Sequence, residues 1–330
     1  MINLDMNENY ASYPIALPTY DTQRFYPRTE EQELLLAISN VHDIKVDYLF
    51  LTSGIDAGIW FFLLHIHNKR GLLYFDVPNY CGIIHGVNLL GIKTIINHQT
   101  DYDYERTMNI IRHNDDIKWA YFCSPMNPWG TRIDKLQQLL SLCANKNIYV
   151  FLDQAYAEFC SACIPLTTVY DYENLMIART FSKAYGLAGI RCGYVATKNK
   201  EILDFFRKYK SVHPYSLPTY SLYCATRAIT DRNRLLASIS QIEAEKKKLY
   251  QLFDSLSISY NKTVTNFVPV KTSNNTSKLI SIANEYGVCF ADLQSFLLPG
   301  FVRVSIGDKD AMITVQRIFK DSWRSITNDL

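Results

Sequence analysis

Residues 175–196 read LMIARTFSKAYGLAGIRCGYVA. Two strand-like runs, Leu175–Thr180 and Gly193–Ala196, enclose a loop carrying Ser182, Lys183 and Arg191. An apolar run that ends in polar residues is the pattern of a buried parallel strand whose carboxyl end borders a ligand crevice. Working outward, similar runs lie at Asp47–Leu51, Gly71–Phe75, Lys93–Ile96, Lys118–Phe122 and Ile148–Leu152. Between most of them stand amphipathic stretches such as Thr29–Val41, Asp56–His67, Asp134–Ala144 and Lys200–Lys208. This alternation predicts an α/β fold with a mostly parallel, seven-stranded sheet covered by helices on both faces. After Tyr220 the pattern changes. A long polar helix signal over Arg232–Phe253 precedes short strands near Asn266–Val270 and Phe301–Ser305, which predicts a smaller α+β lobe. The expected division is a large domain over residues 28–230, and a small domain formed by 1–27 with 231–330.

Composition bounds the function. Of 330 residues, 48% are hydrophobic and 20% charged, enough to bury a sizeable core. Thirty-four Lys and Arg against 32 Asp and Glu leave a formal charge of +2. That balance argues against a dedicated nucleic-acid binder, which carries a basic excess or stripe. The residues MINLDMNENYASYP show neither a basic n-region nor an apolar h-region, and the apolar run Ile59–Ile66 is far shorter than the ~20 residues of a membrane span. Eight cysteines are too sparse for a disulfide scaffold. A reducing cytoplasm is therefore expected. Cys160 and Cys163 form a lone C-x-x-C, a spacing used in redox and zinc sites. With no second such pair, it reads as two packed thiols. His65 and His67 read as partly buried structural residues, since their spacing does not put both on one helical face.

The residues after each strand carry the chemistry. Thr52-Ser53-Gly54-Ile55-Asp56 opens a helix with free N–H groups suited to a phosphate, and Ser182 and Arg191 offer a hydroxyl and a cation to the same anion. Asp153, closing the strand Ile148–Leu152, is costly to bury without a cationic partner. One such partner is an arginine or lysine. The other is a protonated pyridine nitrogen, as pyridoxal phosphate requires to act as an electron sink. Tyr80 offers a flat face for stacking on that ring. Lys183 can serve as the amine that condenses with the cofactor's aldehyde.

The run Ser182-Lys183-Ala184-Tyr185-Gly186-Leu187-Ala188-Gly189-Ile190-Arg191-Cys192-Gly193-Tyr194 resembles the lysine motif of fold-type-I pyridoxal-phosphate aminotransferases of classes I and II, closest to the histidinol-phosphate aminotransferase branch. The resemblance extends over nearly the whole chain. It implies pyridoxal 5'-phosphate as cofactor, transamination of small amino- and keto-acid substrates, and a role in amino-acid biosynthesis. It implies no metal. Lys183 would then hold the cofactor covalently, Asp153 its pyridinium, and Tyr156 and Asn127 its phenolic oxygen, with Tyr80 stacked on the ring. Backbone groups of Gly54 and Ile55, with Ser182 and Arg191, would take the phosphate. Tyr26, in Arg24-Phe25-Tyr26-Pro27, is similar to a tyrosine that reaches the partner subunit's cofactor phosphate, implying a homodimer with shared sites. Arg303, in Val302-Arg303-Val304-Ser305-Ile306-Gly307, is similar to the arginine that receives the substrate's anion.

Departures from the family are as informative. Met126 and Trp129 flank the Asn127 loop where the family shows Asn and Thr, and Ala57 replaces a common glutamate. The resemblance also leads us to expect that the family's N-terminal arm, ahead of Asn3-Leu4-Asp5, is largely missing. Gly287-Val288-Cys289-Phe290-Ala291 is similar to a stretch that ends in an arginine gripping the substrate's phosphate; here that position is Ala291. The expected activity is transamination of a small amino acid or amine through an altered distal-anion pocket. Lys208, Lys210 and Arg24 are the candidates to make good the missing charge. The alternative is an amino-acid decarboxylase of the threonine-phosphate type, which shares the motifs. A binding protein on a dead version of the fold would lack the lysine or the aspartate, and both are present.

Overall fold

The computed structural model describes residues 1–10, 15, 24–99, 102–212 and 216–327. The chain starts with β1 (Ile2–Leu4), and α1 (Glu30–His42) follows with three acidic residues in its first turn, where the helix dipole favours them. Then come β2 (Leu49–Thr52), α2 (Gly54–Ile66), β3 (Leu72–Val77), α3 (Cys81–Leu90) and β4 (Thr94–His98). The alternation continues through α4 (Tyr104–Arg112), β5 (Ile117–Cys123), α5 (Leu136–Asn145), β6 (Tyr149–Asp153), β7 (Leu175–Thr180) and β8 (Gly193–Ala196). Three helices follow: α6 (Lys200–Val212), α7 (Thr219–Thr230) and α8 (Arg232–Ser255). Asp231 caps the last of these by accepting from Arg234 N. The chain closes through β9 (Phe267–Lys271), α9 (Thr276–Glu285), β10 (Val288–Asp292), β11 (Phe301–Ser305) and α10 (Lys309–Thr327).

Seven strands form one sheet in the order β2-β8-β7-β6-β5-β3-β4, and only β8 runs antiparallel to its neighbours. Successive residues of a strand point to opposite faces, so each strand feeds two cores. Phe151 packs into one apolar cluster while Val150 and Leu152 pack into the other. All seven strands stand within a few residues of the segments read from sequence. A second sheet of four strands, β1-β10-β11-β9, joins the two ends of the chain, with β1 parallel to β10. The sequence reading had the N-terminal residues joining this lobe but found neither β1 nor β10.

His65 is buried, as expected, whereas His67 is exposed just past the end of α2. Burial and the nearby Lys69 ammonium hold the His65 imidazole down at about 4, so it stays neutral. Among the described residues, no helix is long and apolar enough to cross a membrane.

Candidate functional site

β2 ends at Thr52 and α2 begins at Gly54, so the first N–H groups of α2, which have no partner within the helix, open onto the crevice. Two glycines make that approach possible. Gly54 has φ +74, and a Cβ there would lie 2.6 Å from Arg191 Nη2. A Cβ on Gly193 would lie 2.8 Å from the Arg179 carbonyl and 2.9 Å from the Gly54 carbonyl carbon, so β8 presses directly on the start of α2. Arg191 donates from Nη1 to Ser182 Oγ at 3.4 Å and from Nη2 to Asp56 Oδ2 at 2.8 Å. Tyr80 Oη donates to the other Asp56 oxygen at 2.8 Å. Gly54, Ile55, Ser182, Arg191 and Tyr80 therefore meet. Asp56, whose two oxygens tie the arginine to the tyrosine, is a member of the cluster that sequence reasoning did not assign.

The carboxyl ends of β5, β6 and β7 supply the rest. Asp153 is the last residue of β6 and is buried; Tyr121 Oη donates to its Oδ2 at 2.8 Å and Ala155 N to its Oδ1 at 2.9 Å. Desolvation pushes its carboxyl up to about 6, against the pull of those two donors. Lys183, just past β7, is partly buried, and loss of hydration together with the Arg303 guanidinium brings its ammonium down to about 8. Its Nζ lies 6.0 Å from the centre of the Tyr156 ring and donates to Met6 O at 2.8 Å.

The N-terminal segment covers this cluster. Asn7 Nδ2 donates to Tyr156 Oη at 2.8 Å, and Asp5 O accepts from Arg303 Nη2 at 2.6 Å. Arg303 Nη1 donates to Asn127 Oδ1 at 2.7 Å, while its guanidinium stacks over Phe267 and Phe296 at 5.4 and 4.9 Å. Arg303 Nε is buried, with no hydrogen-bond partner among the described residues. Asn7 and Tyr121 were both missed from sequence. Tyr121 carried a weak signal, an inward tyrosine near the end of a strand beside Asp153. Asn7 carried none, because its contact spans 149 positions.

These residues fit pyridoxal 5'-phosphate. A desolvated carboxylate with no ion pair among the described residues suits a pyridinium. A helix start too tight for any Cβ, flanked by a hydroxyl and a guanidinium, suits a phosphate. The Asn127 oxygen is used by Arg303 and the Tyr156 oxygen by Asn7, which leaves a donor on each for a phenolic oxygen. Among the described residues, no group of three or more His, Cys, Asp or Glu stands together to hold a metal ion.

Three expectations concern charge near Arg303. Ala291 on β10 lies directly opposite Arg303 on β11 in antiparallel register, so the two share a face of the small sheet. Lys210 pairs with Glu31, and Lys208 lines a surface cavity with His65 and Glu201 at the far end of α2, so neither reaches that face. Arg24 is exposed, and so is Tyr26, at 75%.

Residues 19–316 match the family described as aminotransferase class I and II. The histidinol-phosphate aminotransferase of Haemophilus influenzae (strain PittEE) is 28% identical over 332 aligned residues, covering 96% of this chain and 91% of that one. Among solved structures, the histidinol-phosphate aminotransferase from Clostridium acetobutylicum superposes with a TM-score of 0.85 at 22% identity over the full length of both chains. That of Sinorhizobium meliloti, in complex with pyridoxal-5'-phosphate, does so with a TM-score of 0.82 at 19% identity, covering 99% of this chain and 91% of the other.

Proposed function

Because the chain belongs to the class I and II aminotransferases and is a pyridoxal-phosphate-dependent transaminase, we propose that its amino substrate is a small amino acid or amine with a single anionic group, and not histidinol phosphate. The observation that carries this reading is the methyl group of Ala291 facing Arg303 across the β10–β11 pair. One guanidinium is left on that face. Its Nε, without a partner among the described residues, and its aromatic clamp suit one carboxylate; the next cation along that face, Lys271 opposite Phe301, is exposed to solvent.

We assign the site roles as follows. Gly54, Ile55, Ser182 and Arg191 hold the cofactor phosphate; Tyr80 covers the ring; Asp153 holds the pyridinium; Asn127 and Tyr156 hold the phenolic oxygen. When bound, the cofactor supplies an electron sink that accepts the charge left when a bond at the substrate's α-carbon breaks. Asp153 keeps the ring nitrogen protonated, since an aspartate contacting a cation ionises readily. Arg303 fixes the substrate anion and so aims the α-carbon at Lys183. With its pKa near 8, Lys183 Nζ is neutral in part at physiological pH, and it takes a proton at the α-carbon and returns one. Residues 5–9, which bond to Tyr156, Lys183 and Arg303, exclude water from that exchange.

The proposal extends to assembly. Residues 28–230 form the large domain, and residues 1–27 with 231–330 the small one, in keeping with the two sheets. Two copies form a homodimer in which Tyr26 reaches the phosphate of the partner's cofactor; its exposure beside an exposed Phe25 supports this. We place the protein in the cytoplasm, in keeping with eight cysteines free of disulfides.

The test is kcat/KM for histidinol phosphate against a panel of unphosphorylated amino acids, with the holoenzyme's absorbance and carbon dioxide release followed together. Conversion of the cofactor to its amine form without carbon dioxide is expected, with the best substrate unphosphorylated. A value for histidinol phosphate of about 10⁴ M⁻¹s⁻¹ or more, above all others, overturns the substrate reading. Carbon dioxide release with the cofactor's aldehyde regenerated overturns the reaction.

A further inference from the structure

The C-x-x-C at Cys160 and Cys163 plays no part in this chemistry; Cys160 is packed as expected, while Cys163 opens onto a cavity. Cys163 N donates to Cys160 O at 3.1 Å, closing a turn whose tip, Ser161 and Ala162, is exposed. Such a turn brings its end Cα atoms within about 7 Å, the span a disulfide bridges. Cys163 Sγ donates to Ser124 O at 3.9 Å, at the rim of a cavity. Cys160 is buried, but Cys163 is only partly so and lines a cavity of about 320 Å³ with Ser124, Arg132, Lys135 and Gln154.

We propose that Cys160 and Cys163 form a redox-active dithiol, open through this cavity to small anionic disulfides of the glutathione type. The cavity lies outside the cofactor cluster, so the proposal stands whether or not the substrate reading holds.

Charge and access fix the order of events. The pair loses its first proton below the ordinary thiol range, because the remaining S–H donates to the new thiolate and Arg132 stands near it. The second proton is held well above that range, with the neighbouring thiolate and Glu158 opposing its loss and Arg179 favouring it. One proton is thus shared between two sulfurs at neutral pH. Cys160 is the sulfur that ionises first, but only Cys163 faces the cavity, so Cys163 passes its proton to the Cys160 thiolate and attacks one sulfur of the incoming disulfide, expelling a thiolate and leaving a mixed disulfide on Cys163. Cys160 then gives up its proton and attacks Cys163 Sγ, expelling the second thiolate. In sum, the two protein thiols are oxidised to one disulfide and the external disulfide is reduced to two thiols. Arg132, which pairs with Asp134 at 3.0 Å on the same cavity wall, and Lys135, which pairs with Glu105 at 2.9 Å, are the cations that a glutathione-type carboxylate meets there in exchange for those carboxylates.

The experiment incubates holoenzyme with glutathione disulfide, alkylates the remaining thiols, and maps them by mass spectrometry. The wild-type chain is expected to lose two alkylatable thiols, Cys160 and Cys163, without a lasting glutathione adduct, and to regain both with dithiothreitol. Cys160→Ser should accumulate one glutathione on Cys163. Cys163→Ser should react at least about tenfold more slowly, its remaining thiol being buried. Arg132→Gln should slow glutathione disulfide more than uncharged hydroxyethyl disulfide. Eight alkylatable thiols after incubation, a lasting wild-type adduct, or loss at Cys81 or Cys289 in place of the pair each overturn the proposal.

Discussion

Asp153 pays for its position with a carboxyl pushed from 3.8 to about 6 by burial. The native chain binds that proton more tightly than the unfolded one, so stability falls as pH rises through this window and the penalty is complete above it. In cofactor-free protein, Asp153→Asn should therefore raise the melting temperature at pH 8 and leave it nearly unchanged at pH 4. Cofactor titration of the same variant should show affinity weaker by roughly 10²- to 10³-fold, since a buried charge loses its partner. A variant less stable at pH 8 contradicts the desolvation argument. Lys183 has the opposite sign: its folded pKa, about 8, is below the ordinary 10.5. The rate at which cofactor-free protein captures pyridoxal phosphate, followed by absorbance, should climb with pH and level off above about 8. A climb that continues to pH 10 would show a lysine in ordinary solvent. At Asn7, removal of the bond to Tyr156 by Asn7→Ala should lower kcat/KM by about 2- to 12-fold, the worth of one neutral hydrogen bond.

Between elements, register is what matters. The β10–β11 pairing sets Ala291 against Arg303, so Ala291→Arg should raise kcat/KM for phosphorylated amines by roughly 10- to 150-fold, the value of a charged hydrogen bond at 1.5–3 kcal/mol. No gain on any phosphorylated substrate counts against that placement. Where β8 presses on α2, Gly193→Ala forces a methyl to within 3.0 Å of three backbone atoms. The backbone shift costs about 1–3 kcal/mol and should appear as weaker cofactor binding by equilibrium dialysis. Neither feature is written in local sequence. The seven strands of the large sheet were legible because each is an apolar run bounded by polar turns. Direction was not: Gly193–Ala196 is four residues long and reads the same parallel or antiparallel. β1 and β10 escaped because one is three residues long and the other, Val288–Asp292, alternates too weakly to mark a buried face. Lys183, Asp153 and Arg191 were legible because their spacing follows strand ends, whereas Asn7 and Asp56 gain their roles only through partners far along the chain.

At the scale of the whole molecule, the proposed dimer makes a sharp claim. Chains carrying Lys183→Ala and Tyr26→Phe, mixed and re-formed as heterodimers, should gather both lesions in one site and leave the other intact. Activity above that of either parent homodimer is expected; activity no higher than the parents', with heterodimers verified by native mass spectrometry, would confine Tyr26 to its own chain. The small sheet joins Ile2 to Val288, and Ser305 Oγ donates to Asn7 Oδ1 at 3.0 Å, 298 positions away. This arrangement imposes an order in time. During synthesis, Gly54, Ser182 and Arg191 are all made before residue 200, so the proposed phosphate cradle can close while the ribosome is still at work. Met6 and Asn7, made before any of these, wait through some three hundred more residues for the strand beside which Asn7 settles. The nascent chain is thus ready for its cofactor well before it can enclose a substrate.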